Sequence, residues 1–115
     1  MPIPSELEAL IERLYGECDR IEQDATEGLN ILRRVMSQFP ENAILIQYFA
    51  YLNALLFFAT TSRQQIQTIA NTLSQANIPL EVIQESGEDL GSLLGKAIES
   101  KLRVEQIVNF LRDLP

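Results

Sequence analysis

Histidine is absent from the chain. That removes Ser-His and Cys-His nucleophile pairs, zinc sites of the His-Glu-x-x-His kind, and the Glu-x-x-His pairs that hold two irons in helical bundles. Tryptophan is missing too. The one cysteine, Cys18, excludes an internal disulfide framework and suits a reducing compartment, so a cytoplasmic location is expected. Positive charge is scarce: nine Lys and Arg face sixteen Asp and Glu, for a net charge of −7. The excess acid is spread over residues 1–40 and 80–115, and the pairs and trios of cations (Arg33-Arg34; Lys96, Lys101, Arg103) are too small to form a phosphate-binding patch. Nucleic acid is therefore not an expected partner. The opening, MPIPSELEAL, lacks the basic and apolar regions of a secretory leader. Glycine and proline number five each and fall where helices would begin, end or touch.

What the chain does have is one strongly apolar run. In AILIQYFAYLNALLFFA, from Ala43 to Ala59, only Gln47 and Asn53 are neither apolar nor tyrosine. From Asn42 to Leu80 the sole charged side chain is Arg63. The run falls short of the ~20 residues of a membrane span and lacks flanking Lys or Arg, so burial against other helices is expected and a membrane is not. With 46% apolar and 22% charged residues, the composition fits one folded domain over residues 1–115.

The periodicity is helical throughout. Leu7, Ile11, Leu14, Cys18, Ile21, Ala25, Gly28, Leu32, Val35 and Phe39 alternate spacings of four and three, a heptad seam that predicts a first long helix in coiled-coil-like packing. Ser5 and Glu8 read as a capping box after Pro2 and Pro4, and Phe39-Pro40 as the stop. The seam is small at Cys18, Ala25 and Gly28, so a partner can come close there. A tight connector at 40–42 predicts an antiparallel return. The second seam runs through Tyr48, Leu52, Leu55, Ala59, Ser62, Ile66, Ile69, Leu73, Ala76 and Leu80, favouring one helix over about 42–77, with a kink near Thr61-Ser62 as the alternative. Asn77-Ile78-Pro79 ends it, with Pro79 as the first residue of the next helical segment. A short helical turn is expected at 80–86, then a third long helix starting near Ser86-Gly87 and carrying Leu90, Leu94, Ala97, Lys101, Val104, Val108 and Leu111, with Pro115 closing the chain. The expected fold is all-α, an antiparallel bundle of three long helices.

Signs of chemistry are few. GSLLGKA (91–97) has one residue too few, an Ala where a P-loop needs Ser or Thr, and no strand before it. Cys18, on the seam, is expected to be a small core residue. The acids Glu17, Asp19, Glu22, Asp24 and Glu27 are expected to form a solvated face rather than a cation site. No tuned acid–base pair can be nominated, so neither enzymatic activity nor a cofactor or metal is expected. Gly87, Gly91 and Gly95 form a bare stripe whose helix-weakening effect calls for close approach by another helix, with aromatic residues from 48–58 as candidates.

A three-helix bundle buries about half of each helix's girth, so much of 43–59 should stay uncovered, and an apolar patch of that extent marks a partner surface. The expected interface comprises Tyr48, Phe49, Tyr51, Leu52, Leu55, Phe57, Phe58, Gly91 and Gly95, joining two copies into a homodimer or engaging another protein. The alternative is a small-molecule or lipid-binding bundle, with Tyr48 and Tyr51 lining a pocket beside Gln47 and Asn53.

The stretches MPIPSELEALIERL, IEQDATEGLN, ILIQYFAYLNALLFF and VIQESGEDLGSLLG resemble a group of small all-helical proteins labelled restriction endonuclease specificity (S) subunits. True specificity subunits have two DNA-reading domains joined by long helices; only helices are present here. The resemblance implies a counterpart of the helical spacer, a protein–protein role, and no site residue transfers.

Overall fold

The computed structural model describes residues 3–114, so the expectations placed on Pro2 and Pro115 lie outside the described residues. Among the described residues three helices make up the fold: α1 (Ser5–Met36), α2 (Ala43–Leu73) and α3 (Leu80–Arg112). They form an antiparallel bundle 59 Å long and 19 × 16 Å in section. Helix α1 is the central member. It packs extensively on both α2 and α3, which touch each other far less.

The seams set this arrangement. Ile11, Leu14, Cys18, Ile21, Ala25, Gly28 and Leu32 of α1 are buried, as are Leu52, Leu55, Ala59, Ser62, Ile66 and Leu73 of α2. From α3 come Ser86, Leu90, Leu93, Ala97, Val104, Ile107, Val108 and Leu111. The closest approach falls at Gly28: a Cβ there would lie 2.7 Å from Leu52 Cδ1 and 3.3 Å from Val108 Cγ2, so all three helices converge on one bare backbone position.

Helix ends differ from expectation for local reasons. Pro4, not Ser5, is the N-cap of α1; its carbonyl accepts from Glu8 N (2.9 Å), and no side-chain cap bond forms. With the helix starting one residue earlier, Ser5 occupies its first helical position rather than the cap, so the Ser5–Glu8 box does not form. Helix α1 ends at Met36, three residues before Phe39. Ser37 Oγ donates to Arg34 O (2.6 Å), and Pro40 disfavours helical geometry at the residue before it. Asn42 caps α2 by accepting from Ile44 N (3.0 Å) and Leu45 N (3.2 Å). No kink capped by Thr61 or Ser62 forms, because the Thr61 hydroxyl donates back to Phe57 O (3.0 Å) and Ser62 is buried in the seam. Helix α2 ends at Leu73, and the left-handed φ of 59° at Asn77 turns the chain into α3.

The helical turn expected at 80–86 is the beginning of α3 itself rather than a separate element. Pro79 caps it, accepting from Val82 N and Ile83 N, instead of occupying its first helical position. Half-buried Ile83 leads at helical spacing into buried Ser86 and Leu90, so the helix needs no new start at Gly87.

Candidate surface on the outer face of α2

The α2 segment has two faces of different fate. Leu52 (0% exposed) and Leu55 (6%) lie in the core of the single chain, and Tyr48, Phe49, Tyr51 and Phe58 are half-buried against it. Phe57 is 71% exposed. Around it, Ala43, Ile46, Gln47, Ala50, Asn53 and Ala54 are all exposed. At 100° per residue these seven positions fall on one stripe about 120° wide, opposite the buried seam. The nine residues expected at the interface thus divide. Leu52 and Leu55 serve the core, Phe57 projects outward, and the other aromatics straddle the border.

Gly91 and Gly95 are exposed, and a Cβ at either would meet nothing within 4 Å. No aromatic residue of 48–58 packs on them within the chain, so the close approach expected there does not form in the single bundle. Gly87 has an ordinary neighbour, Leu7 Cδ2 at 3.4 Å.

The acids of α1 are more than a wet face. Glu17 meets Lys101 of α3, with Nζ 3.0 Å from Oε2 and 3.3 Å from Oε1. Asp19 and Glu22 both engage Arg63 of α2, the latter at 2.8 Å. Glu27 pairs with Arg112 of α3, and Asp24 with Arg20 one turn away (3.8 Å). Lys101, the polar intruder in the third seam, therefore has its counter-charge. Interhelical pairing was hidden in the sequence because no spacing rule links residues so far apart along the chain. Among the described residues, no group of three or more Asp, Glu and Cys is placed to hold a metal ion.

The pairing of Arg63 also settles the electrostatics of α2. Its single cation is drawn toward α1, so the outward stripe is free of charge along its length. Burial pushes the Cys18 thiol up from its ordinary value, with Arg63 opposing the shift. Burial also pushes the Asp24 carboxyl up, against the pull of Arg20.

Two recesses flank α2. A cleft of about 430 Å³ between α2 and α3 is lined by Gln47, Tyr48, Tyr51, Arg103, Gln106 and Ile107. Arg103 stands 5.9 Å from the centre of the Tyr51 ring, and Tyr48 meets Phe110 edge to face at 5.7 Å. Gln47 lines this cleft as anticipated. Asn53 does not; its amide donates to Phe49 O (3.0 Å). The second recess, about 320 Å³ and mainly apolar, lies at the end of the bundle between Phe39, Ile44, Leu45 and Phe110. By length and composition alone, α2 is also the one helix among the described residues that could cross a membrane.

In comparisons with known proteins, no family model, no curated protein and no solved structure matches the chain.

Proposed function

We propose that the protein is a non-catalytic helical scaffold that acts by helix packing, and that it joins to a second copy of itself through the outer face of α2. The observation that carries this is the uncharged stripe around Phe57 on a chain of net charge −7. Burying Phe57 fully would stabilise an association by roughly 1.5–3 kcal/mol. The acid lies on α1 and α3, whose surfaces repel those of a copy, so the uncharged outer face of α2 is where two copies meet at least electrostatic expense. Exposed Ile46 and Phe57 make its 43–57 half the apolar part. The protein–protein role implied by the resemblance to helical spacers belongs to the same class.

Insertion of α2 in a membrane is disfavoured by the inner half of the same helix. Leu52, Ala59, Ser62 and Ile66 are held in the bundle core, and Arg63 is held by two carboxylates of α1. Spanning a bilayer would break all of these contacts.

Sedimentation velocity and light scattering at 1–100 μM, on the order of the affinities expected of small interfaces, test the proposal. A concentration-dependent dimer that Phe57→Asp dissociates, with helix content by circular dichroism retained, is the expected result. A monomer throughout that range refutes it, as does a monomer that binds neutral lipid vesicles.

A further inference from the structure

The exposed stripe of α2 has an internal order that selects one way for two copies to pair. Read outward from Ala50 in both directions, its residues match in complementary fashion. Gln47 lies three positions before Ala50 and Asn53 three after. Ile46 and Ala54 lie four before and four after, and Ala43 and Phe57 seven before and seven after. Each pair therefore sets large against small, or amide against amide. All seven residues are exposed in the single chain.

We infer that two copies associate through antiparallel α2 helices related by a twofold axis passing beside Ala50. The inference rests on the self-association proposed above and specifies its geometry. In an isologous contact, whatever residue i touches in the partner touches i in return. An antiparallel pair centred at Ala50 brings Phe57 of each copy into a layer with Ala43 of the other, Ile46 with Ala54, Gln47 with Asn53, and Ala50 with its own counterpart. Each bulky side chain then lies over a methyl group, and the two alanines at the axis allow the helices to approach at the short end of the usual 8–10 Å range. The amide layer is also prepared. The Asn53 nitrogen already donates to Phe49 O within its own helix, which leaves the side-chain oxygen to accept from Gln47 of the partner.

A parallel pair fits worse. It would stack Phe57 on Phe57, and Ala43 and Ala54 each on itself, leaving gaps beside the small residues and crowding at the large one. Charge does not oppose the contact. No Asp, Glu, Lys or Arg lies between Glu41 and Arg63, and Arg63 is engaged by α1. The overlapped stretch of fifteen residues is about 21 Å long, so the interface buries on the order of 1,000 Å² in total, suited to a micromolar dimer. Because Ala50 lies near one end of the 59 Å bundle, the two bundles overlap only at those ends and the dimer is roughly 90 Å long.

Cysteine cross-linking tests the pairing. Ile46→Cys and Ala54→Cys are prepared separately with different affinity tags and treated with a short bis-maleimide, alone and as an equal mixture. Cys18 is wholly buried, and the unsubstituted protein measures any background it contributes. The expected result is a cross-linked species in the mixture that carries both tags, with little cross-linking of either variant alone. Cross-linking of each variant to itself would mean a parallel pair and overturn the inference, while leaving self-association intact. A dimer seen by sedimentation with no cross-link in any sample would also overturn it. Absence of any dimer would remove the proposed function along with it. A size exchange gives a second readout: Phe57→Ala should raise the dissociation constant at least about tenfold, and the double variant Ala43→Phe/Phe57→Ala should recover most of that loss. Failure of the exchange to recover affinity, with helix content unchanged, counts against the antiparallel layers.

Discussion

Adding one methyl group to different glycines of this protein should change its stability in opposite directions. At Gly91 and Gly95 an added Cβ meets nothing within 4 Å, and both positions are inside α3. Ala in place of either should stabilise the fold by about 0.5–1 kcal/mol, the ordinary gain from stiffening a helical backbone. At Gly28 the same propensity gain is opposed by packing. The new methyl would lie 2.7 Å from Leu52 Cδ1, 3.3 Å from Val108 Cγ2 and 3.7 Å from Leu111 Cδ1. The Leu52 atom is a terminal methyl on a flexible side chain, but Leu52, Val108 and Leu111 are all buried, so the displaced atoms have no open space to enter. Overpacking of this kind costs about 1–3 kcal/mol. The net effect of Gly28→Ala is a loss of about 1 kcal/mol, and Gly28→Val should lose about 3 kcal/mol. Urea titrations followed by circular dichroism give the free energies, run at two protein concentrations to separate folding from association. Gly28→Ala stabilising the protein as much as Gly91→Ala does would refute the convergence of three helices at that position.

Lys101→Met should lower stability by about 1–3 kcal/mol, because Glu17 would stay largely buried without its counter-charge, whereas Glu17→Leu/Lys101→Met should restore most of it; urea titration of the three variants decides. Cys18 should resist thiol reagents at pH 7–8 in the folded protein and react at once in denaturant, since the thiol is buried and burial raises its pKa; fast labelling of native protein would contradict its place in the core. Asp24→Asn should slightly raise stability at neutral pH and leave it unchanged below the range where the free carboxyl titrates. A carboxyl whose pKa is raised on folding binds its proton more tightly in the native state, so native stability falls as the pH rises through that range. Denaturation at pH 3 and pH 7 measures the difference.

The middle of each seam could be traced from spacing alone, because α1, α2 and α3 each bury one stripe. Its ends could not, since Phe39, Ala76 and Leu80 fall outside or at the edge of the helices and are exposed, and α3 turns Leu93 rather than Leu94 fully inward. The antiparallel order was equally accessible through Pro40 and Pro79. Helix ends were not, since they turn on single bonds: the Pro4 carbonyl overrides the Ser5-Glu8 box, and the Thr61 hydroxyl folds back on its own helix instead of capping a new one. Within the apolar run the seam spacing already set Leu52 and Leu55 apart from Phe57, whereas apolar composition alone placed all three at the interface; the structure follows the spacing. The partners of Glu17, Glu22 and Glu27 lie on other helices, and nothing local in the sequence points to them.

The inward attachment of Arg63 has a consequence for how the protein responds to its medium. With the only cation of α2 tied down, contact between two stripes involves no ionic bond that dissolved electrolyte could weaken. What electrolyte does screen is the mutual repulsion of two bodies of net charge −7. Association through α2 should accordingly tighten as ionic strength rises, the reverse of a surface that recognises its partner by charge.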